Sequence, residues 1–176
     1  MILGLDISTS LTGFTVLNED GSILHNEVID LRPKRFDNMF QKADAVKTRL
    51  TQIKFLYNIK DIFIEQSLNA FRPGLSSAQV ILTLGKFNGI VSWICYEIFN
   101  KEPQYIGASS ARKSIGIKVE KGQNAKEIVL KHILDTEPSF KVDYTPKGNP
   151  KPGTFDRADS LVIAKAGYNL CQTKKN

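Results

Sequence analysis

The opening stretch of the chain constrains its fold more than any other part of the sequence. Residues 2–14 read ILGLDISTSLTGF: a short apolar run ends on one carboxylate, Asp6, and a Ser/Thr-rich turn leads into a second apolar run that continues to Leu17. This order predicts a tight β-hairpin in which Asp6 lies where a buried strand reaches the edge of a sheet. Burying an unpaired carboxylate costs several kcal/mol, so a metal ion, a basic side chain or backbone N–H groups are expected beside Asp6. An aspartate that caps its own turn fits this stretch equally well.

The rest of the chain predicts a mixed α/β domain, with strands first and then alternating helices and strands. Apolar residues three or four apart predict helices, and short apolar runs bounded by turn residues predict strands. The elements predicted after the hairpin are a strand over 22–31, a helix from Met39 to Tyr57 capped by Asp37, a strand over 60–66 that ends on Glu65, a loop over 69–77, an apolar helix over 77–100, a strand over 104–106, a short helix capped by Ser109 or Ser110, a helix over 124–134, a mobile Pro/Gly-rich loop over 137–152 and a last helix from Phe155 to Cys171.

The predicted helix over residues 77–100 is apolar on most of its faces. Such a helix is buried in a core or lies across a subunit interface. Gly85 and Gly89 stand four residues apart, which allows a neighbouring element to approach closely, and we interpret this pair as a core-packing feature rather than a dimer contact. The helix still carries more apolar surface than one core face requires, so we expect part of it to meet a second copy of the chain.

Composition indicates a protein that suits a polyanionic partner. The chain has 24 Lys and Arg residues against 18 Asp and Glu residues, a net charge of +6, which favours nucleic acid as a partner. Six of the basic residues lie between Lys101 and Lys126. The two cysteines have no metal-like spacing, which predicts free thiols in a reducing compartment. No signal peptide precedes the first strand and no uninterrupted apolar run approaches ~20 residues, so we expect a soluble intracellular protein without a membrane partner.

Four acidic residues stand apart from the others by their positions. Asp6 and Glu65 each end a short apolar strand, and Asp156 and Asp159 lie three apart in the first turn of the last helix, on one face. A helix-dipole role explains an acid at a helix start but not acids that end two strands. Converging carboxylates suit Mg²⁺ or Mn²⁺, and two such ions can hydrolyse a phosphodiester. No zinc-like His/Cys cluster or Ser/His/Asp arrangement stands out in the sequence.

Three segments in order resemble the RuvC-type Holliday junction resolvases of the RNase H-like superfamily. They are ILGLD with the following TGF, IFIEQ, and DRADSLVIAKAG, and the resemblance runs from residue 2 to about residue 170. It implies an α/β fold with an RNase H-like mixed β-sheet flanked by α-helices, in one nuclease domain over residues 1–176. It also implies a homodimer that cuts four-way DNA junctions symmetrically. The catalytic, metal-binding residues implied are Asp6, Glu65, Asp156 and Asp159, with two Mg²⁺ (or Mn²⁺) ions per active site.

The same resemblance implies where DNA binds. The segment SSARKSIGIK is similar to a basic DNA-contacting stretch of the family, and the contacts it implies are Arg112, Lys113, Lys118 and Lys121. The family carries an aromatic residue three positions after the strand-ending glutamate. That position is Leu68 here, Phe71 lies three residues further on, and we expect both at the DNA. Many bacterial members have histidine at the place of Asp156. The implied location is the cytoplasm of a bacterial or phage-infected cell.

Three other functions fit parts of the sequence. A RuvC-like nuclease can act on other branched DNA or on RNA, and these substrates are not separable from the residues. A non-catalytic junction-binding module is the second, although the complete set of acids argues against lost activity. The third is a sugar or acetate kinase-like protein, because GLDISTSLTG resembles the phosphate-binding hairpin of those enzymes; they need two such domains and a second phosphate motif, and this chain has neither.

Overall fold

Five strands and five helices make up the part of the chain that the computed structural model describes, residues 1–66 and 77–173. The loop predicted over 69–77 lies outside these residues except for Ser77. The strands are β1 (Ile2–Asp6), β2 (Leu11–Leu17), β3 (Ile23–Asp30), β4 (Asp61–Glu65) and β5 (Gln104–Ile106), and the helices are α1 (Met39–Leu56), α2 (Ala78–Phe99), α3 (Ala108–Ser114), α4 (Ala125–Thr136) and α5 (Thr154–Thr173).

The strands form one mixed sheet in the order β3-β2-β1-β4-β5. The first three strands are antiparallel neighbours, as the two tight turns predict. Strands β4 and β5 run parallel to β1, and each parallel step is bridged by a helical crossover. The predicted mixed sheet with flanking helices is therefore confirmed. Strand β1 lies at its centre, so the residue that ends β1 has a neighbour on both sides.

Each face of the sheet is covered by helices, and the alternation of side chains along β1 sorts the core into two layers. Leu3 and Leu5 point to the layer that also holds the buried faces of α1 and α2. Ile2 points to the other layer, which α3, α4 and α5 cover. Burial of each large apolar side chain of this kind contributes about 1.5–3 kcal/mol. The two layers hold the strand ends rigidly enough to position side chains at the sheet edge.

Two predicted helix caps are wrong. Helix α1 is capped by Asn38, whose Oδ1 accepts hydrogen bonds from the N–H groups of Phe40 and Gln41 at 3.0 Å each, while Asp37 bonds to the Gln41 side chain instead. Helix α3 has Gly107 at its N-cap because the chain turns directly out of β5, so Ser109 and Ser110 lie inside the helix. The general positions of both helices are as predicted, and only the residue at the boundary differs.

Helix α2 buries one side in the core, but the side that carries the two glycines is exposed. Gly85 and Gly89 are exposed, and a Cβ added at either would meet nothing within 4 Å, so the glycine pair does not serve core packing. Trp93 on the same side is 60% exposed. By length and composition alone α2 could cross a membrane, a criterion that core helices of soluble proteins also meet. A third of its most apolar stretch is buried inside the protein.

The Pro/Gly-rich segment before α5 is folded against the protein although it contains no helix or strand. An isolated bridge joins Tyr144 to Pro150, and the N–H of Thr145 donates to the carbonyl of Asn149 at 2.8 Å. Phe140 is buried, with the Arg157 guanidinium 4.9 Å from its ring centre. The segment thereby connects to the first turns of α5. Its predicted mobility stays a prediction.

Candidate active site

Asp6 and Glu65 are brought together by the register of two parallel strands. Leu5 of β1 pairs with Ile64 of β4, so the next residue of each strand lies at the same edge of the sheet. Neighbouring strands lie about 4.7–4.9 Å apart. Two acids that are 59 positions apart in sequence are therefore side by side, as the strand-ending pattern predicted.

Helix α5 carries Asp156 and Asp159 over this same edge because two glycines leave room for it. Gly13 of β2 is the register partner of Asp6, and a Cβ at Gly13 would collide with the backbone carbonyl of Asp156. Gly4 of β1 meets Ala164 in the same way two turns further along the helix. The first turn of α5 consequently lies directly on β1 and β2, next to the acid that ends β1.

A partly buried polar network fixes the rotation of α5 about its axis. The hydroxyls of Thr15 and Ser160 are hydrogen-bonded at 2.8 Å. The Asn26 amide donates to Thr15 Oγ1 at 2.7 Å and to the carbonyl of Arg157 at 3.0 Å. Its Oδ1 accepts from Arg157 Nε at 2.8 Å. Because these bonds join α5 to β2 and β3, the helix cannot turn without breaking them, and its acids keep their position at the sheet edge.

The turn that follows Asp6 is closed by other residues than the aspartate. Ser8 Oγ accepts hydrogen bonds from the N–H groups of Ser10 and Leu11 at 3.2 and 3.0 Å. It donates to the Leu11 carbonyl at 2.9 Å, and Thr12 Oγ1 donates to the Ser8 carbonyl at 2.8 Å. In the described residues, therefore, Asp6 is not the cap of its own turn. Its carboxylate instead interacts electrostatically with the neighbouring acids.

The four carboxylates are close enough to perturb one another's protonation. Burial raises the pKa of Asp6 well above its usual range, and the nearby charges of Glu65, Asp159 and Asp156 raise it further. Burial, with Asp159 beside it, raises the pKa of Glu65 to about 7. Burial also raises the pKa of Asp159 to about 6, helped by Asp156, and raises that of Asp156 itself. Acids with pKa values displaced in this way by burial and by like charges are typical of functional sites.

Two basic side chains counter this negative charge at a small cleft, which they line together with two of the acids. Lys126, in the first turn of α4, lowers the pKa values of all four acids, and Arg112 of α3 lowers those of Glu65 and Asp159. The cleft has a volume of about 180 Å³, and its lining includes Glu65, Asp159, Arg112 and Lys126. Arg112 is a predicted DNA contact. Lys126 was one of six basic residues in its stretch, and no local signal marked it, because only the packing of α4 on α5 turns it toward the acids.

The other predicted DNA contacts do not join this cleft. Lys113, Lys118 and Lys121 are exposed and are not among the residues that line it, so their contact with DNA stays a prediction. Leu68 and Phe71 lie outside the described residues.

The acids fit a hard divalent cation by donor chemistry. All four groups offer carboxylate oxygens, which Mg²⁺ and Mn²⁺ prefer, and a bound cation would relieve the repulsion that raises their pKa values. Among the described residues, no three His, Cys, Asp or Glu side chains are placed so as to hold one ion. Ligation by this set therefore requires side-chain rotation from the positions seen here.

Neither a protein-family model nor a curated protein sequence matches the chain, but solved structures match it over almost its whole length. Thermus thermophilus RuvC in complex with a Holliday junction substrate superposes with a TM-score of 0.69 at 16% identity, covering 98% of this chain and 94% of that one. A second T. thermophilus RuvC structure gives a TM-score of 0.64 at 18% identity, covering 98% and 96%. The yeast mitochondrial Holliday junction resolvase Ydc2 gives 0.59 at 16% identity, covering 99% and 80%. With its β3-β2-β1-β4-β5 sheet and acids at the ends of β1 and β4, the chain has the RNase H-like fold of the RuvC-type Holliday junction resolvases.

Proposed function

We propose that the chain is a structure-specific DNA endonuclease that resolves four-way (Holliday) junctions by two-metal phosphodiester hydrolysis. The observation that carries this proposal is the meeting of four partly buried carboxylates at one edge of the sheet, from β1, β4 and α5, beside two basic side chains. The fold supports it as well, since one of the similar structures is a RuvC in complex with a Holliday junction substrate.

The residues divide into those that face reacting atoms and those that hold the substrate. Asp6, the acid that all three others perturb, would hold the Mg²⁺ or Mn²⁺ ions together with Glu65, Asp156 and Asp159. When bound, such ions supply an activated water and stabilise the leaving oxygen. Lys126 and Arg112 line the cleft together with Glu65 and Asp159 and would bind the phosphates that flank the cleaved bond.

The exposed side of α2 supports a homodimer. Five exposed residues lie three or four positions apart along α2 and so form one stripe on its surface. They are Leu82, Gly85, Gly89, Trp93 and Tyr96. The glycines allow a second helix to approach closely at positions where this chain packs nothing. Symmetric cutting of a two-fold junction needs two sites related by a two-fold axis. Trp93→Glu should therefore shift the chain to monomer in sedimentation at micromolar concentration; a wild type that sediments only as monomer with junction DNA present would refute the dimer.

The direct test is cleavage of a synthetic four-way junction, with a linear duplex and a flap of the same sequences as controls. We expect Mg²⁺- or Mn²⁺-dependent incisions at symmetric positions in the junction and little cutting of the duplex. Asp6→Asn should abolish cutting and leave binding in a gel-shift assay largely intact, because the basic surface remains. A wild-type protein that binds the junction but leaves it whole in either ion would overturn the enzymatic proposal, and equal cutting of the flap would widen it to branched DNA.

A further inference from the structure

Phe40 is a large apolar side chain that the fold presents to solvent. Its side chain is 73% exposed in the first turn of α1. The backbone around it is held firmly: Asn38 caps the helix, and Phe36 and Met39 pack against the core. Because Met39 points inward, the next residue along the helix points outward. The exposure of Phe40 therefore follows from the packing of its neighbours, in an ordered part of the protein.

Contacts place this turn at the same edge of the sheet as the four acids. Lys42, half a turn after Phe40, donates from Nζ to the carbonyl of Thr9 at 2.6 Å, in the turn that follows Asp6. The chain that leads into α1 is anchored to the same turn, since the N–H of Leu31 donates to the Ser10 carbonyl at 2.7 Å. The segment thus borders the site on the β2–β3 side. Arg112 and Lys126 border it on the side of β4 and β5.

The residues before Phe40 carry positive charge that the protein itself only partly compensates. Arg32 is bonded to both carboxylate oxygens of Asp30, at 2.9 and 2.6 Å. Arg35 is 67% exposed and only approaches Asp30, at 4.0 Å. Lys34 is exposed, and in the described part of the chain it has no ion pair. We call Lys34, Arg35 and Phe40 together the β3–α1 surface.

Exposed cations a few residues before an exposed aromatic ring suit a nucleic acid whose bases are not all paired. Cations bind the phosphates of any duplex, but an aromatic ring gains from stacking only where a base face is free. In a linear duplex the bases already stack on each other, whereas a branch point interrupts the stack. We propose that the β3–α1 surface binds branched DNA at a second position beside the active site, with Lys34 and Arg35 on the phosphates of one arm and Phe40 against a base at the branch point. This inference rests on the proposed function.

Binding assays without divalent ions separate the two contributions, using a synthetic four-way junction and a linear duplex. Phe40→Ala should weaken junction binding about tenfold and change duplex binding less than about twofold, because stacking is lost only where a base is free. The matched control is Phe55→Ala, which removes the same side chain, 87% exposed, from the last turn of the same helix at the far end of the sheet. It should bind both DNAs like the wild type.

The contribution of the two cations is measured by the salt dependence of DNA binding. The double variant Lys34→Ala, Arg35→Ala should lower the slope of log affinity against log salt by about 2 on junction and duplex alike, because each replaced cation no longer neutralises a phosphate. Its control is Lys60→Ala, Lys101→Ala, which removes the same charge at the opposite end of the sheet, where β4 and β5 begin. Melting curves should show all four variants folded, because the replaced side chains are exposed.

The outcomes distinguish this inference from the proposed function. If the wild type binds and cuts the junction but Phe40→Ala binds it as tightly as Phe55→Ala does, the surface does not bind the branch point and the nuclease proposal stands. If the Lys34→Ala, Arg35→Ala variant has the same salt slope as the Lys60→Ala, Lys101→Ala control, then Lys34 and Arg35 do not bind the phosphates. A wild type that shows no affinity for the junction overturns both proposals together.

Discussion

Replacing Glu65 by glutamine should make the metal-free protein more stable above neutral pH. Glu65 is held beside Asp159 at the sheet edge, and burial with this like charge raises its pKa to about 7. The folded protein therefore keeps a proton on Glu65 that the unfolded chain releases near the ordinary pKa of 4.5. Stability is then lost as the pH rises from 4.5 to about 7. Glutamine cannot ionise, so the variant escapes this loss.

The size of the effect follows from the two pKa values. At about 1.4 kcal/mol for each pH unit between them, an ordinary value of 4.5 and a folded value of about 7 correspond to about 3 kcal/mol at pH 8. Burial of the glutamine amide returns part of this, since a poorly bonded polar group costs ~1–3 kcal/mol. We therefore expect a net gain of roughly 1–2 kcal/mol at pH 8, or roughly 2–8 °C in Tm for a chain of this length. Near pH 4 this gain is lost because Glu65 is protonated in the folded state and mostly protonated in the unfolded chain, and the cost of the buried amide remains, so the variant should melt at or below the wild-type temperature.

The assay is thermal unfolding in a chelating buffer at pH 4, 6 and 8, for wild type and Glu65→Gln. Glu102→Gln is the control, because it makes the same substitution at an exposed residue far from the site and should stay within about 0.5 kcal/mol of wild type. A Glu65→Gln protein that is no more stable than wild type at pH 8 would refute the prediction. So would a difference that does not shrink toward pH 4, because the carboxylates would then not be repelling one another.

Three further predictions test how the site is built. Replacing Asp156 and Asp159 together by Asn should raise the Tm of the metal-free protein, because it relieves the repulsion among the carboxylates. It should also abolish the rise in Tm on adding Mn²⁺, since a ligand that binds only the folded form stabilises that form. If the double variant keeps the full Mn²⁺-dependent rise in Tm, these two acids do not bind the metal. Gly13→Ala should cost about 1–3 kcal/mol because its Cβ collides with α5; a Tm equal to that of the wild type would contradict the close approach. Asn26→Ala should lower the free energy of unfolding in urea by roughly 2–4 kcal/mol, because it breaks three hydrogen bonds to α5 and β2. A decrease below about 0.5 kcal/mol would show that the network does not hold the helix.

The acids could be predicted because each has a local signal. Asp6 and Glu65 each follow a short apolar run, and such a run ends where a buried strand reaches the sheet edge. Asp156 and Asp159 lie three apart before an apolar helical pattern, so they share a face. The parallel pairing of β1 with β4 then brings the strand ends together.

The features that could not be predicted depend on packing between distant segments. Asn26 and Arg157 are 131 positions apart, and neither belongs to a periodic pattern that marks a contact. Lys126 reaches the acids only because α4 packs on α5 with its first turn toward the sheet edge. The spacing of residues in α2 does not tell whether Gly89 faces the core or the solvent. That orientation depends on which side of the helix packs against α1 and the sheet.

The most direct test of the account is single-turnover cleavage of a four-way junction in Mn²⁺ by four single variants, Asp6→Asn, Glu65→Gln, Asp156→Asn and Asp159→Asn. Asp135→Asn on the exposed side of α4 is the control. We predict that each of the four slows cutting by roughly 100-fold or more with junction affinity near the wild-type value, and that the control cuts normally. Wild-type cutting by any of the four would contradict a site in which these acids act together.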